Sequence, residues 1–75
     1  MQVTAKRLKN KKIELRINNE LVRTVDPQHL GIYKFTYDGD ECHFLYEENS
    51  VRGNTSIIIS LYPVNMFQPN NIIVL

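Results

Sequence analysis

The apolar positions of this chain fall into short runs that alternate with polar ones and are punctuated by Asn, Gly and Pro. That is the period-two pattern of half-buried strands. The clearest case is Leu30-Gly31-Ile32-Tyr33-Lys34-Phe35-Thr36-Tyr37, then Asp38-Gly39, then Asp40-Glu41-Cys42-His43-Phe44-Leu45-Tyr46-Glu47. Asp-Gly between two β-prone runs signals a two-residue hairpin loop, because a type I′ turn needs positive φ at both central residues. The loop dictates the register: Tyr33 faces Phe44, Phe35 faces Cys42 and Gly31 faces Tyr46. One side is largely aromatic, and the other carries Ile32/Leu45, Lys34/His43 and Thr36/Glu41.

A second hairpin precedes it. Ile13-Glu14-Leu15-Arg16-Ile17 alternates without a fault, and Glu20–Val25 returns across Asn18-Asn19, residues that tolerate the left-handed conformation. A two-residue loop there predicts Leu15 opposite Val22, Ile13 opposite Thr24 and Glu14 opposite Arg23. Val3–Leu8 is expected to pair with the Ile13 strand through a turn at Asn10-Lys11, setting Leu8 against Ile13 and Arg7 against Glu14. Asp26-Pro27-Gln28-His29 separates the two hairpins, since proline disfavours helix at itself and at the residue before it.

Glu48–Thr55 is the longest polar stretch and reads as a flexible, exposed loop. Ser56–Tyr62 is apolar at nearly every position, as in a strand covered on both faces, or covered on one and adhesive on the other. Pro63 ends it, a helical turn is expected near Val64–Phe67, and a connection containing Pro69 and Asn70-Asn71 follows. Ile72–Leu75 then closes the chain as an apolar strand to be docked in its own sheet or a neighbour's.

These elements predict an all-β fold: five to seven short antiparallel strands in a small sheet or barrel built from hairpins, with little or no helix. Seventy-five residues form one domain, residues 1–75. A chain of this length buries only about 60–65% of its unfolded surface, so a partner or a second copy would add useful stability. The lone Cys42 excludes an internal disulfide. No run is long and apolar enough for a secretory signal or a membrane span, which leads to the expectation of a cytoplasmic protein with no membrane association.

Net charge is only +1, but its distribution is uneven. Lys6, Arg7, Lys9, Lys11 and Lys12 hold five of the nine cations, and Asp38, Asp40, Glu41, Glu47 and Glu48 hold five of the eight anions. A solvated basic turn is the ordinary reading of the first group. Neighbouring residues of a strand point to opposite faces, so Cys42 and His43 cannot readily share a metal or form a nucleophile–base pair. Asp38-Gly39-Asp40-Glu41 lacks the spacing of a calcium loop. No cofactor, metal or catalytic residue is expected, and the chain reads as a non-enzyme.

Three functions remain open by exclusion. The first is a protein-binding module, an inhibitor or adaptor of the kind mobile genetic elements encode, contacting its partner through Tyr33, Tyr37, Tyr46 and the acidic rim of Asp38, Asp40 and Glu41. Its warrant is surplus apolar strand surface together with tyrosine's frequency at interfaces. The second is a small β-barrel binding nucleic acid, with Lys6, Arg7, Lys9, Lys11 and Lys12 on phosphates and exposed tyrosines stacking on bases. The third is a structural subunit of a homo-oligomer, with the last strand exchanged between copies.

Overall fold

The structure is a computed structural model, and it describes residues 2–67 and 71–74. Among these residues, seven strands follow one another in antiparallel order. β1 (Val3–Arg7), β2 (Ile13–Ile17) and β3 (Glu20–Val25) form one sheet, and β4 (Leu30–Tyr37), β5 (Asp40–Val51), β6 (Asn54–Tyr62) and β7 (Asn71–Val74) form the other. β3 approaches β4 and β1 approaches β7, so the strands circle a common interior in chain order as a flattened, incompletely laddered barrel. The all-β expectation holds, and among the described residues the only helical element is a single 3₁₀ turn at Val64–Met66.

The central hairpin has the anticipated register at every pair, from Leu30↔Glu47 to Tyr37↔Asp40. Asp38 and Gly39 sit at φ 51° and 81°, the left-handed pair that a two-residue turn demands. Alternation then sorts the side chains. Phe35, Cys42, Phe44 and Tyr46 point inward, where they meet Ile13, Leu15 and Ile17 of the other sheet and Ile57, Ile59 and Leu61 of β6 in one core. Phe67, fully buried after the 3₁₀ turn, closes that core with its ring about equidistant from Phe35 and Tyr37, 6.0 Å from each.

Two registers differ from expectation. Ile17↔Glu20 and Arg16↔Leu21 pair as anticipated, but the ladder then shifts so that Leu15 faces Arg23, Glu14 faces Thr24 and Ile13 faces Val25. The cause is a β-bulge in β3 at Val22, the extra residue between the two registers. Val22 and Val25 lie three apart, so regular alternation would place one of them in water. The bulge resets the parity and turns both toward the core while Arg23 and Thr24 face solvent. The expected Glu14–Arg23 pair is thus absent. Glu14 instead accepts from Arg16 Nε on its own strand at 2.6 Å, and Arg23 donates to the Lys34 carbonyl on the open edge of β4.

The β1–β2 hairpin also shifts by one residue. Arg7 pairs with Ile13 and Lys6 with Glu14, because Lys9-Asn10-Lys11 forms a three-residue loop with Lys11 at φ 69°. Leu8 brackets it by donating to Lys12 O at 2.8 Å and accepting from Lys11 N at 3.0 Å.

The polar stretch expected as a flexible loop is strand. β5 runs to Val51 and β6 starts at Asn54, with Arg52-Gly53 (φ 53° and 82°) as the turn between them. Ladder hydrogen bonds are backbone properties and ask little of the side chains. The result is a two-stranded arm, Asn49–Ser56, exposed at every residue and cross-linked by a Ser50–Thr55 hydroxyl bond of 2.9 Å. The last strand docks in its own sheet, with Val74 beside Ile57 and Ile72 beside Ile59. Pro69, Asn70 and Leu75 lie outside the described residues.

Candidate interaction surface

The residues that the hairpin turns away from the core form a grid on the outer face of the four-stranded sheet. The register gives its rows: Leu30, Glu47 and Ile58; then Ile32, Leu45 and Ser60; then Lys34, His43 and Tyr62. Leu30 is 62% and Ile32 69% exposed, while Leu45 and Ile58 are half-buried. These four apolar side chains adjoin one another on a surface that no other part of the described chain covers. Enclosing a Leu or Ile side chain stabilises by about 1.5–3 kcal/mol, so the two most exposed members alone leave roughly 2–4 kcal/mol unrealised.

Polar groups frame this patch. The His43 imidazole stacks on Tyr62 with centroids 5.0 Å apart and planes tilted by 14°. Lys34 Nζ lies 4.0 Å from Glu41 Oε1, and at 78% side-chain exposure for both partners the pair contributes little to stability. Glu47 sits half-buried between Leu30 and Ile58, with no ion pair among the described residues.

The structure separates the anticipated partner-binding residues. Tyr46 is 2% exposed, and its ring belongs to the core, where a partner cannot reach it; only its hydroxyl reaches outward, donating to Glu48 Oε2 at 3.3 Å. Burial and the Glu48 carboxylate hold that phenol above its ordinary value of 10.0. Tyr33 and Tyr37 are half-buried. Tyr33 packs on Phe44 at 5.3 Å and accepts from Gln28 N at 3.0 Å, while Tyr37 packs on Phe67 and accepts from Asn18 Nδ2 at 3.4 Å. Asp38, Asp40 and Glu41 are exposed at the turn. Tyr46 pairs with Gly31, six positions along β4 from Tyr37, a distance of about 20 Å. The tyrosines and the acidic rim therefore do not form one patch.

Lys6, Arg7, Lys9, Lys11 and Lys12 are exposed around the β1–β2 loop. Arg7 and Lys11 line an open cleft of about 390 Å³ with Asp26, Glu48 and Tyr46. Two cations facing two anions leave that cleft without a dominant sign. Tyr37, tied to Asn18, lies at the end of β2 opposite the basic loop, and the ring of Tyr46, which shares the cleft with Arg7 and Lys11, is buried.

Cys42 is 2% exposed, and burial together with the nearby Asp40 holds its thiol above the ordinary 9.0, the opposite of what activates a nucleophile. His43 points away from it, to the outer face. Among the described residues no cluster of His, Cys, Asp and Glu is placed to hold a metal ion, and no helix is long and apolar enough to cross a membrane.

The hairpin register sets Ile32 and Leu45 together on the face opposite the aromatics, but their exposure is a finding of the structure. What draws Leu30 and Ile58 to the same face is the length of the β4–β5 ladder and the pairing of β6. Comparisons of the chain with protein families, with curated proteins and with solved structures found no match.

Proposed function

We propose that the chain is a small non-catalytic protein-binding module, an inhibitor or adaptor, whose contact surface is the outer face of the four-stranded sheet. The observation that supports this reading is the contiguous patch of Leu30, Ile32, Leu45 and Ile58, with Leu30 and Ile32 mostly exposed. An apolar centre bordered by Lys34, His43 and Tyr62 has the layout of a protein interface, in which charges move to the edge and aromatic residues join the core, with Glu47 as one acceptor set within it.

A photo-crosslinking residue at position 32 tests the reading in cells that express the chain. The control carries the same probe at Thr4, an exposed outward position on the other sheet. The expected result is a protein adduct from position 32 that disappears when Leu30→Asp is added. Adducts no stronger than those from position 4 would overturn the assignment of this face.

A further inference from the structure

From the pattern of the outer grid we infer that the occupant of this face is a second copy of the same chain, packed sheet on sheet about a two-fold axis. The inference rests on the protein-binding reading above and names its partner. Such an axis lies in the plane between the two sheets and crosses the strands along the row Ile32, Leu45 and Ser60. The operation leaves that row facing itself and exchanges the rows on either side of it. Ile32 then meets Ile32 and Leu45 meets Leu45 at the centre. Tyr62 covers Ile58, and the aliphatic stem of Lys34 lies over Leu30. His43 faces Glu47, twice, once on each side of the axis.

This last pairing selects a second copy. Glu47 is a half-buried carboxylate set between Leu30 and Ile58 without an ion pair among the described residues, so its oxygens are open to a donor from outside the chain. His43 is an exposed imidazole, held flat by Tyr62, whose ring N–H is a suitable donor. Within one chain the two residues lie four positions apart along β5, about 13 Å, too far to meet. Reversing the rows across a two-fold axis brings each opposite the group it lacks, which is the self-complementarity an isologous contact requires. The alternative axis, parallel to the strands, would set Glu47 against Glu47.

Three strands about 4.8 Å apart and roughly 25 Å long give a footprint of roughly 350–500 Å² per copy, below the ~800 Å² of a standard stable complex. The dimer is therefore weak and concentration-dependent, with a dissociation constant on the order of 100 μM.

Sedimentation of the whole chain from about 10 μM to about 1 mM reads the equilibrium directly. The expected mass rises from the 8.8 kDa of one chain toward twice that value. Ile32→Asp, at a site exposed enough to leave the fold intact by circular dichroism, should weaken association at least tenfold. Glu47→Lys and His43→Glu should each weaken it, and the double exchange should restore it to within a few-fold of the parent, because position 43 of one copy again opposes position 47 of the other. A chain that stays at 8.8 kDa throughout overturns the inference, and so does self-association that ignores Ile32→Asp or fails to recover in the double exchange. If the position 32 probe captures a different protein while the chain stays monomeric, only the choice of occupant falls. If it captures nothing, the protein-binding reading falls with it.

Discussion

Replacing Gly31 by alanine isolates one packing interaction in the hairpin. A Cβ at position 31 would lie 2.9 Å from Tyr33 Oη and 3.0 Å from Cε2 and Cζ, because the Tyr33 ring folds back across the glycine two residues earlier on the same face. The backbone of Gly31 is not left-handed, so an L-residue suffers no torsional penalty there. The whole cost must come from displacing the ring, and the ring is held at two points. It packs against Phe44 at 5.3 Å, a contact worth about 0.5–1.5 kcal/mol beyond its buried area. Its hydroxyl accepts from Gln28 N at 3.0 Å, worth about 0.5–1.5 kcal/mol. Against this, alanine removes unfolded-chain entropy and returns about 0.4–1 kcal/mol.

Gly31→Ala should therefore destabilise the chain by about 1–2 kcal/mol, or roughly 5–15 °C in Tm for a domain of this size. In a Tyr33→Ala background the obstruction is gone, and the same substitution should be neutral or stabilising by up to about 1 kcal/mol. Equilibrium urea unfolding of the four proteins of this cycle, followed by circular dichroism, measures the coupling, expected at about 1–3 kcal/mol. Equal losses from Gly31→Ala in both backgrounds would refute the argument, since the ring would then not be what excludes the Cβ.

Further expectations concern backbone conformation, core packing and alkaline stability. Gly39 has open space around it but φ +81°, so Gly39→Ala should cost about 1–2 kcal/mol in thermal melts, with no neighbour whose truncation relieves it. Arg52 occupies the left-handed region at φ 53°, and Arg52→Asn should raise stability by a few tenths to about 1 kcal/mol by the same measurement. Phe67→Ala empties a site that is 0% exposed and should cost about 3–5 kcal/mol, enough to populate unfolded chain visibly in a proton–nitrogen NMR spectrum. The Cys42 thiol and Tyr46 phenol are both held protonated above their ordinary values of 9.0 and 10.0. The folded state thus retains protons that the unfolded chain releases, and stability falls as pH rises through this range. Tyr46→Phe combined with Cys42→Ala should flatten the decline in urea midpoint from pH 8 to pH 11, and an unchanged slope would assign alkaline loss to other groups.

The central hairpin was legible residue by residue because Asp38-Gly39 leaves one loop length and alternation leaves one face for the aromatics. The same logic misplaces β3, where Leu21-Val22-Arg23-Thr24-Val25 offers apolar residues three apart. No uninterrupted strand buries both valines, and the cost of a bulge against that of an exposed valine is decided by the core they meet. The β1–β2 register turned on whether Lys11 would take a left-handed conformation, to which a lysine gives no clue. The Asn49–Ser56 arm was hidden because its side chains carry no apolar alternation and Arg52-Gly53 is a weak turn signal. As for the site, Tyr46 was drawn outward by residue type and inward by register, and register prevailed. Ile32 and Leu45 follow from the register as a facing pair, but their exposure depends on what covers that side of the sheet.

The arm makes the chain readily editable. No core residue lies between Asn49 and Ser56, and Arg52-Gly53 is an exposed turn at the tip of the arm. A peptide epitope, a fluorophore-bearing cysteine or a protease site spliced between Arg52 and Gly53 would lengthen a solvated loop by a closure penalty that grows only logarithmically, about 0.6 kcal/mol per doubling.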